Sequence, residues 1–375
     1  MATAPAPGDA QAHDAEAGAD DSEPTTTTTI TTTAPPRAPA DTLTMQEFVT
    51  ISGDLSPKSI VASGTGVVTA QNMMYRHTVT AYDADGNLIA TVPDTVRLSD
   101  FGIDKAGEFK GAPVEAAFMP DGSAVYVSNY SMYGPGFREG SDECSPSDGT
   151  PPSFLYRIDT ETWKINQVVP TGAVPKYVAV TPDGSKVLAT NWCTFDMTIA
   201  DTETAEVLDT VPIGRYPRGI AISPDGTTAY VAVMGGNEVV VIDIESGAQT
   251  GSIAVGAGPR HLVMDPTGRY LYATLNKEGK VAKMDLSTNE VVTKVATGEQ
   301  PRSMDISDDG RALYVVNYAS DDVSKLATED MSLLQTVPAG HHPIGIAYDG
   351  STGRVWVANY SGSIDVWDEV EVPTQ

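Results

Sequence analysis

The sequence has little of three things: basic side chains, cysteine and long apolar runs. Its 375 residues include 23 lysines and arginines against 50 aspartates and glutamates, a formal net charge of −27 at pH 7. This balance argues against a protein that binds nucleic acid or an anionic membrane surface by charge attraction. No run of about 18 apolar residues is present to span a bilayer. Two cysteines are too few for a disulfide framework, although they allow one bridge.

The familiar local motifs of catalysis are also absent. The chain has no Gly-x-Ser-x-Gly nucleophile elbow, no His-Glu-x-x-His pair, no Walker loop and no dinucleotide fingerprint. An enzymatic function is therefore not indicated by any contiguous motif. Functional residues have to be sought among side chains that the fold brings together.

The first 44 residues are rich in alanine, proline, threonine and acidic residues and contain almost no aliphatic side chain. Such a segment cannot bury enough apolar surface to offset the entropy of ordering it, so we predict a disordered acidic tail over residues 1–44. Its composition suits either a stalk on an exported protein or a solubilising linker. No charged segment followed by an apolar one opens the sequence, which fits a cytoplasmic protein or an exported one whose signal has been removed.

The rest of the chain is built from a repeat of 42 residues. Each copy starts with Gly, has Pro three residues later and continues to a turn that ends in Gly, as in Gly214-Arg-Tyr-Pro217 through Pro224-Asp-Gly226. The prolines of five regular copies are Pro175, Pro217, Pro259, Pro301 and Pro343. A sixth copy begins at Pro113 and a degraded seventh at Pro57, and the longer intervals between the first three prolines indicate two insertions.

Each repeat is predicted to form four short strands. In the copy at Pro217 we predict strands over residues 219–222, 228–233, 239–243 and 250–255, separated by Gly-containing turns. Four-stranded repeats of this length without an amphipathic helix predict an all-β fold, a seven-bladed β-propeller over residues 45–375. Residues 45–51 are expected to be the outer strand that completes the blade of Pro343. A solenoid is the alternative, but open arrays need polar capping repeats, and the sequence shows none.

Three segments point to a family: Tyr126-Val-Ser-Asn-Tyr130, Tyr314-Val-Val-Asn-Tyr318 and Trp356-Val-Ala-Asn-Tyr360. They resemble the YVTN repeat, and residues 45–370 as a whole resemble YncE-like, seven-bladed propellers of the YVTN family. The resemblance implies a secreted, periplasmic or cell-surface protein, with relatives that include lactonase-like and quinoprotein-like propellers. It says little about chemistry, because one fold supports many functions.

One position of the repeat collects positive charge. In a propeller the residue after each repeat proline is expected at the mouth of the central channel. Five of these seven positions are basic, namely Lys58, Lys176, Arg218, Arg260 and Arg302. Converging cations in a narrow mouth favour a carboxylate or phosphate group, so we predict an anionic small molecule, peptide or cell-envelope component as the ligand. The alternative is that aspartates or carbonyls of the adjacent blade neutralise each cation.

Four of the five histidines are expected on the same face: His77, His261, His341 and His342. Candidates for general acid–base catalysis are His261, His341 and His342, together with the carboxylate of Glu115. Because blades seven and one adjoin in a closed ring, His77 with His341 or His342 is a candidate metal site. Apart from this possible ion no cofactor is predicted, and exposed loop histidines without a metal are the alternative.

The longest irregular stretch, residues 131–153, is expected to overhang the mouth as a lid or partner contact. Its acidic residues lack the spacing of a calcium loop and are expected to be solvated. Cys144 of this insertion and Cys193 of the next blade lie on one face, which together with the resemblance to an exported family predicts a disulfide; free thiols are the alternative. Tyr130 and Trp192 occupy equivalent blade positions, where they either stack on a planar ligand or pack between blades.

These features favour a monomeric, extracytoplasmic propeller that acts as a binding or scaffold protein through its cationic mouth. A lactonase- or lyase-type enzyme that uses the same face is the alternative. In that case a mouth histidine would be the acid–base group and the arginines would bind a carboxylate. A redox protein carrying a metal or quinone is a weaker alternative.

Overall fold

Seven four-stranded antiparallel sheets follow one another along the chain and form a seven-bladed β-propeller, which confirms the predicted fold. The computed structural model describes residues 37–371. Most of the predicted tail therefore lies outside the described residues. Within residues 37–371, none of the helices has the length and apolar composition that a membrane-spanning helix requires.

The strands of each blade are named A to D from the channel outwards. The A strands are Ser59–Ala62, Pro113–Phe118, Pro175–Val180, Pro217–Ile222, Pro259–Met264, Pro301–Ile306 and Pro343–Asp349. The B strands are Val68–Asn72, Ala124–Asn129, Lys186–Asn191, Thr228–Val233, Tyr270–Leu275, Ala312–Asn317 and Arg354–Asn359. The C strands are Thr78–Tyr82, Phe154–Asp159, Asp196–Asp201, Glu238–Asp243, Lys280–Asp285, Asp322–Ala327 and Ser363–Glu371. The D strands are Leu88–Pro93, Lys164–Pro170, Val207–Pro212, Gln249–Ala254, Glu290–Ala296, Leu333–Pro338 and, for blade seven, Leu43–Ser52.

Short elements surround these blades. A two-stranded pair, Thr95–Val96 with Phe109–Lys110, and the 3-10 helix Leu98–Phe101 lie in the first insertion, between blades one and two. The second insertion, residues 131–153, contains the 3-10 helix Pro146–Asp148. A third 3-10 helix, Ala40–Thr42, directly precedes the first strand.

The turn between strands A and B shows why the repeat keeps its Asp-Gly pair. In blade four Gly226 has φ 74°, a left-handed conformation that glycine adopts without steric cost. The Asp225 carboxylate accepts hydrogen bonds from the Ser223 hydroxyl at 2.5 Å and from the Thr227 N–H at 3.1 Å. These local bonds fix the turn, so strand B returns in the register that buries its alternate side chains.

The hydrophobic core lies between blades rather than at one centre. The aromatic residue near the start of strand B is fully buried in four blades, as Tyr126, Tyr272, Tyr314 and Trp356. The Tyr126 hydroxyl donates to Gln167 Oε1 at 2.8 Å and to the Thr202 carbonyl at 3.1 Å. Because Gln167 belongs to blade two and Thr202 to blade three, one side chain packs and hydrogen-bonds the two blades together.

The A strands approach closely around the channel. A Cβ atom on Gly219 would lie 2.8 Å from the Leu262 nitrogen, and one on Gly345 would lie 2.9 Å from the Ile60 nitrogen. Any larger residue would push neighbouring blades apart at these two positions. The first residues of the A strands are therefore forced together at one end of the channel.

The N-terminal strand closes the ring. Leu43–Ser52 pairs antiparallel with Ser363–Glu371, so blade seven contains both ends of the folded chain, as predicted. The fold begins at Ala40 rather than at residue 45. The Ala40 N–H donates to Asp309 at 2.9 Å, and Asp41 forms an ion pair with Arg311 at 2.8 Å.

One buried ammonium group joins this closure to blade six. Lys325 Nζ lies 2.7 Å from the Leu43 carbonyl and 2.5 Å from Glu369 Oε1. The side chains of Lys325 and Glu369 are both completely inaccessible to solvent. Lys325 therefore contacts the first strand and the last strand of the propeller at once.

Replacing Lys325 with methionine should destabilise the propeller, because Glu369 is left as a buried charge without its cation. We expect the free energy of unfolding to fall by about 3–5 kcal/mol, measured by chemical denaturation. The control is the double variant Lys325→Met with Glu369→Leu, which removes both charges and should recover most of the loss. A single variant as stable as the wild type would contradict this role of the ion pair.

Candidate functional site

A hydrogen bond that recurs around the ring assembles the channel mouth. The residue that follows strand B donates its N–H to the carbonyl of the residue before the repeat proline. These pairs are Tyr130 with Ala112 (2.8 Å), Trp192 with Val174 (2.9 Å), Met234 with Tyr216 (3.0 Å), Asn276 with Gly258 (3.1 Å), Tyr318 with Gln300 (3.1 Å) and Tyr360 with His342 (2.9 Å). The bond holds the residue after strand B beside the start of strand A, so the aromatic and cationic positions of the repeat meet.

The backbone at this place is strained. The residue before the repeat proline is left-handed in four blades without being glycine: Val174, Tyr216, Gln300 and His342 have φ between 55° and 58°. Such a conformation costs a non-glycine residue about 1 kcal/mol or more and persists only where the surroundings impose it. The recurring hydrogen bond is the local constraint that maintains it, so the mouth is a rigid structure.

Cations converge in this mouth. Lys58, Arg218, Arg260 and Arg302 line a constriction of about 10 Å³, together with Glu115, Tyr177, His261, Ser303 and Ile344. That volume holds about one water-sized group. Burial, and repulsion by Lys176 and the three arginines, lower the pKa of Lys58 well below its usual range. The basic residues of the repeat therefore face one another instead of solvent.

Within residues 37–371, most of these cations form no ion pair at contact distance, although the charge of Glu115 favours the ionised form of Arg218. Lys176 Nζ contacts Asp142 Oδ1 at 2.6 Å. Within residues 37–371, the guanidinium groups of Arg218, Arg260 and Arg302 form no hydrogen bond and no ion pair. The Nε atom of Arg302 is buried without a hydrogen-bond partner. Arg218 and Arg260 are nevertheless only 9% and 8% exposed. The adjacent blades therefore do not neutralise every cation of the mouth.

Aromatic rings surround the cations. Lys176 Nζ lies 4.2 Å from the ring centre of Tyr130 and 5.2 Å from that of Trp192. In the same way Arg302 lies 3.5 Å from the ring centre of Tyr318. Tyr130 and Trp192 are buried, and their ring faces lie against Lys176. The negative ring faces offset part of the cost of burying positive charge.

The second insertion is attached to this mouth. Cys144 and Cys193 form a disulfide with a Cα–Cα distance of 5.3 Å, which confirms the predicted bridge. Asp142, expected to be solvated, is largely exposed and also pairs with Lys176. Desolvation opposes ionisation of this carboxyl, but the positive charge of Lys176 prevails and lowers the pKa of Asp142 to about 2.

A second ring of polar side chains lies next to the cations, farther into the channel. Glu115, Tyr177, His261 and Ser303 each stand two residues after a repeat proline, and they line both the constriction and a cavity of about 280 Å³ below it. Burial raises the pKa of Glu115 to about 7, against the opposing effects of Arg218 and a hydrogen bond from Ser59. Glu115 can therefore gain or lose a proton near neutral pH.

His261 is held in one neutral form. Its Nδ1 accepts a hydrogen bond from the Met304 N–H at 2.8 Å, so the ring proton is on Nε2, which lies 2.7 Å from the Tyr177 hydroxyl. Burial, followed by the charges of Arg218 and Arg260, lowers the pKa of His261 to about 3. Both nitrogens are occupied, which disfavours the predicted acid–base role of this histidine.

The structure gives the three candidate metal-binding histidines different partners. His77 lies against the second blade, where its Nδ1 is 2.7 Å from the Gly111 carbonyl. His341 and His342 meet a carboxylate of blade six instead: His341 Nδ1 is 2.8 Å from Asp321 Oδ2. Among residues 37–371, Asp321, His341 and His342 are the group with the proximity that a metal ion needs. Glu115 is not part of it, because its side chain points into the channel.

Two residues of the mouth, Tyr177 and Asp142, are not among the site residues predicted from the sequence. Tyr177 has the same register, two residues after a proline, as Glu115 and His261, so periodicity could have identified it. Asp142 stands two residues before Cys144, and the predicted disulfide was the available signal that this part of the insertion approaches blade three. Its contact with Lys176 depends on the path of a non-repeating loop.

Comparisons with known proteins agree on the architecture. The family model "Lactonase, 7-bladed beta-propeller" matches residues 153–291, and "Cytochrome D1 heme domain" matches residues 237–360. No curated protein matches the chain. Among solved structures, Kuenenia stuttgartiensis Hydrazine Synthase is similar, with 19% identity, a TM-score of 0.67, and coverage of 87% of this chain and 98% of that chain.

These similarities support the seven-bladed propeller, while the YVTN resemblance stays a prediction. Each family model covers less than half of the chain, and the similar structure shows the fold alone. The residues of the channel do not fit a haem. The cationic constriction has about 10 Å³ of space, and both ring nitrogens of the channel histidine, His261, are already hydrogen-bonded.

The neutral state of His261 predicts a specific pH dependence of stability. Below pH 6.5 the unfolded chain protonates this histidine, whereas the folded protein does so only near pH 3. The contribution of His261 is therefore fully present above pH 6.5 and is lost as the pH falls. His261→Gln, which keeps a donor and an acceptor, should reduce the loss of unfolding free energy between pH 7 and pH 4 by on the order of 2 kcal/mol.

Chemical denaturation at the two pH values measures this difference. Thr210→Gln, at an exposed position of an outer strand that does not titrate, is the matched control and should leave the pH dependence as in the wild type. Equal pH dependence in the wild type and in His261→Gln would show that the histidine is protonated in the folded state.

Proposed function

We propose that the channel mouth binds the anionic group of a ligand, and that the protein acts as an extracytoplasmic binding or scaffold protein. The observation that supports this most directly is the set of mouth arginines, Arg218 and Arg260 buried and Arg302 half-buried, whose guanidinium groups form no ion pair within residues 37–371. Burying unpaired charge is costly, and a carboxylate or phosphate would supply the missing charge-assisted hydrogen bonds.

The dimensions of the site limit what enters it. The constriction has room for about one water-sized group, so a single anionic oxygen atom enters it and the rest of the carboxylate or phosphate stays at its outer edge. The remainder of the ligand stays on the rim, among Tyr75, Tyr318 and Tyr360. Tyr75 is 86% exposed, an unusual state for a tyrosine beside a binding site and one suited to contact with a ligand.

The disulfide favours an oxidising compartment. Structural disulfides persist in secreted, periplasmic and surface proteins and are rare in the cytosol. The Cys144–Cys193 bridge therefore supports the proposed extracytoplasmic location. The acidic outer surface, which repels polyanions, leaves the mouth as the place where an anion is attracted.

Removing one guanidinium from the mouth should weaken anion binding. Arg218→Gln or Arg260→Gln is expected to raise the dissociation constant for citrate or inorganic phosphate about tenfold, because each substitution removes one charge-assisted hydrogen bond to the anion. Isothermal titration calorimetry at pH 6 measures it. Arg215→Gln, an exposed arginine on the same face, is the matched control and should bind as the wild type does.

The same titration at pH 8 should show weaker binding. The pKa values of Glu115 and Lys176 are both shifted by burial to about 7. Between pH 6 and pH 8 Glu115 gains a negative charge and Lys176 loses a positive one, so the site becomes less cationic. Absence of binding to both anions at either pH would refute the proposed site.

A second candidate is hydrolysis of a lactone at the same site. The partial match to a lactonase model favours it, and Glu115 has a pKa suited to a general base. This replaces His261, whose nitrogens are occupied, as the acid–base candidate. The arginines would bind the carboxylate of the substrate or stabilise negative charge on the opening ring.

Lactone turnover should then depend on Glu115. If a screen of lactones gives activity, Glu115→Gln is expected to lower it about 10²–10⁴-fold, the usual contribution of a general base. Glu203→Gln, an exposed carboxylate on the opposite face, is the matched control. Equal activity in Glu115→Gln and the wild type would remove this assignment.

A further inference from the structure

The second insertion places one of its own acidic residues in the cationic mouth. Asp142 is held at two points. Its carboxylate contacts Lys176 Nζ at 2.6 Å and accepts a hydrogen bond from the Tyr130 hydroxyl at 3.3 Å. Its main-chain carbonyl accepts a hydrogen bond from Trp192 Nε1 at 2.9 Å. The mouth thus recognises both the side chain and the backbone of this residue.

The charge of Asp142 acts on the whole ring of cations. Lys58 and Arg218 favour its ionised form, and Asp142 in turn favours the charged forms of Arg260 and Arg302. No other carboxylate within residues 37–371 forms an ion pair with a cation of the mouth. Asp142 therefore occupies the position that an external anion would take.

The neighbouring residues hold Asp142 in place. The Gly140 N–H donates to the Ser131 hydroxyl at 2.8 Å, and a Cβ on Gly140 would lie 2.5 Å from Val174. Two residues beyond Asp142, the buried Cys144 is bonded to Cys193. The insertion is thus fixed on both sides of the carboxylate, which raises the local concentration of Asp142 at the mouth.

The contact is nevertheless accessible. The side chain of Asp142 is 72% exposed, whereas that of Lys176 is 5% exposed. A competing anion can reach the carboxylate position from solvent without unfolding the blades. An incoming carboxylate would replace Asp142 on Lys176, so the buried ammonium group stays paired and the free-energy cost of displacing Asp142 is reduced.

We propose that Asp142 is an intramolecular ligand of the mouth, and that the external ligand is an acidic peptide segment that displaces it. The ligand is of this class because the mouth already binds a carboxylate and an adjacent peptide carbonyl at the same time. The inference rests on the proposed anion-binding function. It adds that wild-type affinity is set by competition with the insertion.

Calorimetric titration with N-acetyl-aspartate N-methylamide, which reproduces the carboxylate and the carbonyl, tests the proposal. Asp142→Asn should bind this compound about tenfold more tightly than the wild type, because a competitor and a like charge are removed. Glu143→Gln is the matched control: it removes the same charge from the next residue, which is exposed, and should leave the affinity unchanged. The comparison with acetate uses the Cys144→Ser, Cys193→Ser variant, because Asp142→Asn keeps the main-chain carbonyl on Trp192 Nε1. There acetate, which lacks the carbonyl, should bind more weakly than the amide does.

A second variant tests the anchoring. Replacing Cys144 and Cys193 with serine releases the insertion and should also tighten binding, with thermal unfolding used to verify that the blades remain folded. If the wild type binds the amide and Asp142→Asn binds it no better, Asp142 is not a competitor, although the anion site stands. If acetate binds the Cys144→Ser, Cys193→Ser variant as tightly as the amide does, the peptide class is wrong. If no variant binds citrate, phosphate or the amide, both the inference and the proposed function fail.

Discussion

A ring of seven blades has to close on itself, and this constraint determines the rest of the molecule. The strand Leu43–Ser52 supplies the missing edge of blade seven, and Lys325 connects it to Glu369 and to blade six. Closure forces the seven A strands to converge. In the closed ring, the basic residues at the equivalent position of several blades lie close together. Positive charge is therefore concentrated in a buried site.

The mouth can bury this positive charge because several interactions offset the cost of removing the cations from water. Ring faces of Tyr130, Trp192 and Tyr318 lie against the cations. Asp142 supplies one countercharge, and the charge of Lys176 is itself reduced because burial lowers its pKa to about 7. What remains uncompensated is the set of arginines, whose guanidinium groups stay charged at any accessible pH. This remaining positive charge is the feature on which the proposed anion binding rests.

The periodic part of the molecule could be predicted from sequence, and the irregular part could not. Proline and Asp-Gly spacing predicted the strands of blade four to within about two residues, and the same spacing placed the cations at one end of the channel. The partners of the histidines could not be predicted in this way. His77 contacts the Gly111 carbonyl and His341 contacts Asp321, and both histidines lie in loops whose sequences differ from blade to blade. Asp142 lies in an insertion that has no equivalent in the other blades.

The bond between Cys144 and Cys193, which are 49 residues apart, also makes a closed covalent loop that includes strands from blades two and three. A single cut in the backbone anywhere inside that loop leaves both fragments connected through sulfur. Blades two and three can therefore not be released from each other by one cleavage there. The part of the ring beneath the insertion thus stays covalently connected after a single nick.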